Sequence, residues 1–180
     1  MHNLKVCVNN DNLEGSFGLS LESMNCFLVT NIDKVIMYDS DTFQERGRIP
    51  IKLLVAEGRE PNEVIGMTAS KDENWLAIIS GKNLVMNMQG QNQLFIFKRI
   101  KGNAFEQDKF EQQYRVVVKE IPFFQNVCMK FFFKDEGKDK NGRYRDPNSI
   151  IFAKRECIFT LNFITQEINE IYPFEPALLS

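Results

Sequence analysis

The chain has very little of the chemistry that most hydrolytic enzymes use. Its 180 residues contain a single histidine, His2, and no histidine in the interior of the sequence. A Ser-His-Asp or Cys-His system needs a histidine held in a structured site, and terminal residues are usually frayed. We therefore expect no histidine-based catalysis and predict that the protein is not an enzyme.

Cysteines are few and widely separated. Cys7, Cys26, Cys128 and Cys157 form no Cys-x-x-Cys pair, so the spacing of a zinc site is absent. Nothing in this pattern resembles the disulfide framework of a small secreted domain. We expect buried free thiols in a reducing, cytoplasmic compartment, with no metal or other cofactor.

Long apolar runs and a charge excess are also missing. No run of 18 apolar residues is present, which argues against a transmembrane helix. The first residues lack the basic and apolar regions of a signal peptide. Lys+Arg number 22 against 24 Asp+Glu, for a net charge of -2, so the domain has no general attraction for nucleic acid or anionic membrane. We expect protein partners and no membrane partner.

Two short segments resemble ligand loops but lack key residues. Ser80-Gly81-Lys82 has Leu76 where a phosphate-binding loop needs glycine, and Asn83 where it needs Ser or Thr. The segment Asp135–Gly142 would place Asn148 where a calcium loop needs a bidentate glutamate. Both are better interpreted as polar turns.

What the sequence does have is a rhythm of short apolar runs separated by polar turns. The clearest unit comprises Val64–Ser70, the turn Lys71–Asn74, Trp75–Ser80, Leu94–Ile100 and Arg115–Ile121. Two apolar runs around a four-residue polar turn predict a hairpin. Four successive antiparallel strands form one blade of a β-propeller.

Weaker versions of this unit occur on both sides. The upstream strands are predicted at Phe17–Leu21, Cys26–Thr30, Val35–Asp39 and Arg48–Leu53, the last with Pro50 at an edge position. The downstream strands are predicted at Cys128–Lys134, Ser149–Ala153, Ile158–Ile164 and Ile168–Tyr172. In the third of these, Phe159, Leu161 and Phe163 lie at every second position. They therefore share one face, as expected from the two-residue period of a β-strand.

The three units form a degenerate repeat. Their second strands begin near Cys26, Trp75 and Ser149, at unequal spacings of about 49 and 74 residues. Several strands are apolar on both faces, as expected for sheets covered on both sides. We predict one all-β domain over residues 1–180, a partial β-propeller of three four-stranded antiparallel blades at 16–58, 63–122 and 127–173. A β-sandwich is the alternative.

The segment Val64–Ala77 resembles the first strand, turn and second strand of a repeat in the WD40-like β-propeller superfamily. Val35–Asp39 is similar to the third strand of such a repeat, with Tyr38-Asp39 in place of the Trp-Asp pair. No Gly-His pair precedes any blade, so the hydrogen-bond network typical of the family is not carried over. The resemblance, over about two thirds of the chain, implies a protein-binding scaffold.

Propellers close with four to eight blades, so three blades lead us to expect a fragment of a longer protein. The alternative is a copy or partner that completes a ring, since exposed blade edges favour self-association.

We place partner specificity in the long loops Lys101–Tyr114 and Asp135–Asn148, with Arg143, Tyr144 and Arg145 as candidate contact residues. One alternative function is nucleic-acid binding through the basic stretch 130–155, which would weaken steeply with salt. Another is a carboxylate-based enzyme, which would need acids with raised pKa values.

Overall fold

The structure of the chain is a computed structural model. It describes residues 18–31, 34–49, 51, 63–81, 92–103, 106–118, 128–132, 140–142, 145–154 and 157–173. These residues form twelve β-strands, one 3-10 turn at Glu22–Met24 and no α-helix. The strands make three antiparallel sheets, each built from four strands consecutive in sequence. The predicted all-β class with three blade-like sheets is confirmed.

Within each sheet, spatial order follows chain order. The first sheet contains β1 (Gly18–Leu21), β2 (Cys26–Asn31), β3 (Lys34–Asp39) and β4 (Glu45–Ile49). The second sheet contains β5 (Glu63–Ala69), β6 (Trp75–Gly81), β7 (Asn92–Ile100) and β8 (Lys109–Val118). The third sheet contains β9 (Cys128–Phe132), β10 (Ser149–Lys154), β11 (Cys157–Asn162) and β12 (Ile168–Pro173).

The fourth strands of the first two sheets differ from the prediction. β4 begins at Glu45 and ends at Ile49, three residues earlier than expected at its start, and β8 begins at Lys109 instead of Arg115. The early part of β8 is largely exposed and rich in Glu and Gln. Because an exposed edge strand needs no apolar face, its sequence gives little signal.

The second sheet lies between the other two and is covered on both faces. Every residue of β6 is buried. One core layer joins the first sheet to the second, with Leu28 packed in the same cluster as Phe95. The other joins the second sheet to the third, with Ile96 in the same cluster as Leu161. Neighbouring side chains along a strand point to opposite faces of the sheet. The strands of the second sheet therefore contribute side chains to both core layers.

The sheets approach each other most closely at their first strands. β5 contacts both β1 and β9, so the three sheets converge along this edge. A fan that converges on one strand of each sheet is the arrangement of propeller blades, whereas the sheets of a sandwich pack over their whole faces.

The sheets share a backbone repeat that fixes which positions correspond. An asparagine precedes the second strand of each sheet. Its main-chain carbonyl accepts a hydrogen bond from the main-chain N–H of a residue near the end of the third strand. The bonds are Ser40 N–H to Asn25 at 3.0 Å, Arg99 N–H to Asn74 at 2.8 Å and Phe163 N–H to Asn148 at 2.9 Å. The second strands thus begin at Cys26, Trp75 and Ser149, as predicted.

Candidate functional site

The residues that the sequence singled out as partner contacts are only partly described. Arg145 is exposed, whereas Arg143 and Tyr144 lie outside the described residues. The loop expected at Lys101–Tyr114 is shorter than predicted, because β8 already begins at Lys109. Most of the loop Asp135–Asn148 lies outside the described residues, so these contacts stay predictions.

Trp75, the first residue of β6, is buried with 5% of its surface exposed. Its Nε1–H donates to Asp146 Oδ1 at 3.3 Å. Lys98 lies over the Trp75 ring, with Nζ 4.9 Å from the centroid, and donates to Asp146 Oδ2 at 3.1 Å. This polar contact links the second sheet to the third.

A second polar network links the second sheet to the first. The Glu73 carboxylate accepts hydrogen bonds from the N–H groups of Glu22 at 2.9 Å and Ser23 at 2.8 Å. Arg99 Nη1 donates to the Ser23 hydroxyl at 2.6 Å. Two side chains of the second sheet, Glu73 and Arg99, therefore hold the 3-10 turn of the first sheet in place.

A cleft of about 270 Å³ lies beside this network, and Met24, Arg46, Arg99 and Asp108 are among its lining residues. Both arginines already have acidic partners: Arg46 Nε donates to Asp39 at 2.9 Å and Arg99 Nε to Asp108 at 2.6 Å. Since each guanidinium charge is balanced locally, the cleft has little free positive charge for an anionic ligand.

The two acids paired with these arginines are held in their charged form. The pKa of Asp39 is lowered by the Thr42 N–H and by Arg46. Burial acts to raise the pKa of Asp108, but hydrogen bonds from Gly102 and Arg99 outweigh it and lower the value. A carboxylic acid catalyst needs the opposite shift, so these acids suit a structural ion-pair role.

Cys26 is a free thiol that lies buried in the core between the first and second sheets. Burial raises its pKa from 9.0 to about 11. The thiolate is the reactive form of cysteine, so Cys26 is unsuited to nucleophilic chemistry at neutral pH.

Among the described residues, no three His, Cys, Asp or Glu side chains are grouped so as to hold a metal ion. The same residues include no helix with the length and apolar character needed to cross a membrane.

The outer face of the first sheet, on the side away from the second sheet, carries an aromatic patch formed by Phe27, Tyr38 and Phe43. The rings of Phe27 and Tyr38 stack with centroids 5.4 Å apart, and Phe43 lies tilted against Phe27 at 5.9 Å. Val29 and Ile36 form the neighbouring cross-strand pair on this face. Phe43 is 63% exposed, and no described sheet covers this side.

Phe43 occupies an unfavourable backbone conformation. Its φ of 58° lies in the left-handed region, where a bulky residue is a genuine outlier and the strain is of the order of 1–3 kcal/mol. The turn is held by Asp39, whose carboxylate accepts the N–H groups of Asp41 at 2.9 Å and Thr42 at 2.8 Å. Phe43 N–H donates to the Asp39 carbonyl at 3.0 Å. The turn thereby holds a strained aromatic residue in solvent.

The third sheet contains the same turn with different side chains. Asn162 accepts the N–H groups of Ile164 and Thr165 at 2.9 and 3.0 Å, and Gln166 N–H donates to its carbonyl at 2.8 Å. Gln166, with φ 63°, occupies the position of Phe43. Hydrogen bonding therefore sets this backbone, and the turn itself does not require an aromatic side chain.

The outer face of the first sheet corresponds to a buried face of the second sheet. The cross-strand pairs Phe27–Tyr38 and Val29–Ile36 match Leu76–Phe97 and Ile78–Phe95. All four matching residues of the second sheet have 0% exposure and pack against the first sheet. The first sheet thus carries a face of the type that elsewhere in the molecule contacts another sheet.

The aromatic patch was not predicted from the sequence, although the apolar residues along β2 and β3 contained part of the signal. Phe27, Val29 and Ile36 each lie between buried neighbours, and Tyr38 follows the buried Met37. This pattern indicated a strand covered on both sides, but not which side lacks a covering sheet.

Searches of protein-family models and of curated protein sequences find no match to this chain.

Proposed function

We propose that the chain is a non-catalytic protein-interaction module of the WD40-like β-propeller type, acting as a scaffold in the cytoplasm. The aromatic patch is the observation that carries the interaction role. The three blade-like sheets and their repeated asparagine contact support the comparison with propeller repeats.

The chemistry of the patch suits a protein partner. Binding energy at protein interfaces is concentrated in a few large side chains, aromatic ones foremost. Phe27, Tyr38 and Phe43 contact one another, so a partner would meet a continuous apolar surface whose rings are already ordered. Preorganised side chains lose less conformational entropy on binding.

The strain at Phe43 supports the same conclusion. A glycine or asparagine would adopt the left-handed conformation at lower cost. Strained residues persist where the surrounding structure enforces them, and they are concentrated at functional sites. An exposed phenylalanine at this position adds nothing that the turn needs, but it extends the patch.

Photo-crosslinking tests the proposal directly. A benzophenone amino acid replaces Phe43 in one protein and Ile164 in a control, which is 54% exposed in the matching turn of the third sheet. We expect irradiation in cells to give a discrete adduct from position 43 only. Adding Phe27→Ser should remove that adduct, because the patch loses its central ring. Equal adducts from both positions, or none from position 43, would contradict the proposal.

A further inference from the structure

The stack of three sheets presents two different outer faces. The outer face of the first sheet is equivalent, position for position, to the face of the second sheet that packs against the first sheet. In the third sheet, the outer face contains the pair Ile151–Thr160, which corresponds to Leu28–Met37 and Ala77–Ile96 in the other sheets. Those pairs are the ones that contact the following sheet. The molecule therefore carries one face of each kind without a described partner.

The buried contacts follow a rule of large side chains against smaller ones. Phe95 and Phe97 of the second sheet pack in one cluster with Cys26, Leu28 and Val35 of the first sheet. Likewise, Phe152 and Phe163 of the third sheet pack with Ala77 and Ile79 of the second. The second sheet also contributes two large rings to this contact, Trp75 and Tyr114, and the Tyr114 ring lies 5.2 Å from that of Phe163. In both contacts the later sheet contributes phenylalanine rings and the earlier sheet contributes mainly smaller side chains.

The two outer faces complement each other by this rule. The first sheet offers the rings of Phe27 and Tyr38, while the third sheet offers Ile151, Ile158 and Thr160, all part-exposed. Within one copy these faces lie on opposite sides of the stack. A first sheet can meet a third sheet through them only if the third sheet belongs to another molecule.

The number of sheets fits a closed ring. Closed propellers contain about four to eight blades, and two copies of the three described sheets provide six. A twofold axis would make the contact between first and third sheets occur twice, which closes the assembly.

We infer that the aromatic patch of one copy packs on the outer face of the third sheet of a second copy, so that two chains form a ring of six blade-like sheets. This inference rests on the proposed function, because it names the occupant of that interaction surface. It continues, across a molecular boundary, the contact that already joins successive sheets within the chain.

Solution mass tests the inference first. Light scattering of the full chain over a concentration series should give a dimer that dissociates on dilution. Phe43→Gly removes part of the patch and Thr160→Glu places a charge on the facing sheet, so each should shift the equilibrium to monomer. Gln166→Gly, which introduces glycine into the matching turn, should leave the dimer unchanged. Far-UV circular dichroism checks that every variant retains its strands.

Disulfide trapping tests the orientation. In a background with the native cysteines replaced by serine, Phe27→Cys and Thr160→Cys are made in separate proteins. Oxidation of their mixture should give a mixed disulfide dimer, whereas Phe27→Cys alone should give none. A homodimer trapped by Phe27→Cys alone would mean patch-to-patch contact and would overturn the ring.

The outcomes separate this inference from the proposed function. A chain that is monomeric at every concentration, yet cross-links from position 43 to another protein, overturns the ring and supports the interaction surface. A monomer without any adduct from position 43 overturns both.

Discussion

Two faces in this molecule carry similar side chains at matching positions and differ in what covers them. The outer face of the first sheet has Val29–Ile36 where the second sheet has Ile78–Phe95. The second-sheet residues are fully buried, whereas those of the first sheet are part-exposed. The apolar pattern of a strand therefore specifies a surface that can be buried, and a neighbouring sheet decides whether it is.

The same comparison applies to the turns. Asp39 and Asn162 organise equivalent turns through the same backbone donors, but only the first-sheet turn adds an aromatic residue to an uncovered face. Backbone geometry and surface chemistry are thus specified separately in the repeat.

The largest expected effect comes from truncating matching residues on the two faces. Phe95→Ala, at a fully buried position, should lower the free energy of unfolding by about 3–5 kcal/mol. Ile36→Ala, at the matching part-exposed position, should cost about 1 kcal/mol because its solvent exposure reduces the transfer term. Urea unfolding at a concentration where the chain is monomeric measures both. Equal losses would show that the outer face is already covered in the single chain.

Adjacent residues of β2 provide the next test, because they face opposite sides of the first sheet. Two single-cysteine proteins are compared, one that keeps only Cys26 and one whose only cysteine is introduced by Phe27→Cys, with the other cysteines replaced by serine. Cys26 should react with a thiol reagent far more slowly than the cysteine at position 27. Its pKa, raised from 9.0 to about 11, alone reduces the thiolate fraction roughly 100-fold. Comparable rates at pH 8 would show that the core between the first two sheets opens readily.

The Cys26 thiol also predicts a pH dependence at the alkaline end. Its pKa is near 9.0 when the chain is unfolded and about 11 when it is folded, so only the unfolded state loses the proton between these values. Stability should therefore decline as pH rises through this window. Cys26→Val should remove that component of the decline, as followed by thermal unfolding.

Asp39 predicts the opposite behaviour at acid pH. Its pKa is lowered from the ordinary value of 3.8, so its contribution is present above that value and is lost as pH falls below it. Asp39→Asn, which introduces the residue found at Asn162, should keep the turn and flatten this acid dependence. Unfolding midpoints from neutral pH downward measure the difference. Parallel curves for wild type and variant would rule out Asp39 as a source of acid sensitivity.

The smallest effect is expected at the two left-handed turn positions. Gln166→Gly should stabilise the chain by about 0.5–1 kcal/mol, because glycine adopts positive φ without strain. Phe43→Gly should gain less, since it also loses a ring contact worth about 0.5–1.5 kcal/mol. Chemical denaturation measures both changes. A loss above about 2 kcal/mol for Phe43→Gly would place that ring in the core and contradict the patch.

Much of the fold could be predicted because local signals agree. The pattern from Val64 to Ser80 contains apolar runs and a polar turn, and the structure has β5 and β6 on either side of it. The early part of β8 could not be predicted, because its exposed Glu and Gln residues carry no strand signal. An exposed edge strand forms because its backbone pairs with a neighbouring strand. That pairing leaves no side-chain pattern by which it could be predicted from the sequence.

The candidate site was less predictable than the fold. The left-handed conformation of Phe43 is unfavourable for a bulky side chain. It depends on hydrogen bonds that Asp39 accepts from the turn N–H groups, which a linear sequence does not reveal. Likewise, the exposure of Phe27 and Tyr38 depends on which sheet is covered. The charge-based prediction at Arg143, Tyr144 and Arg145 considered composition, whereas the patch depends on register.

The chain-order topology of the sheets has a consequence for how the protein is made. Each described strand pairs only with strands adjacent in sequence, so these pairings are local in the chain and close loops at modest entropic cost. Contacts between sheets join only successive sheets in the described core. A chain emerging from the ribosome can therefore complete the first sheet before the third is synthesised, and each finished sheet offers the next a surface on which to assemble.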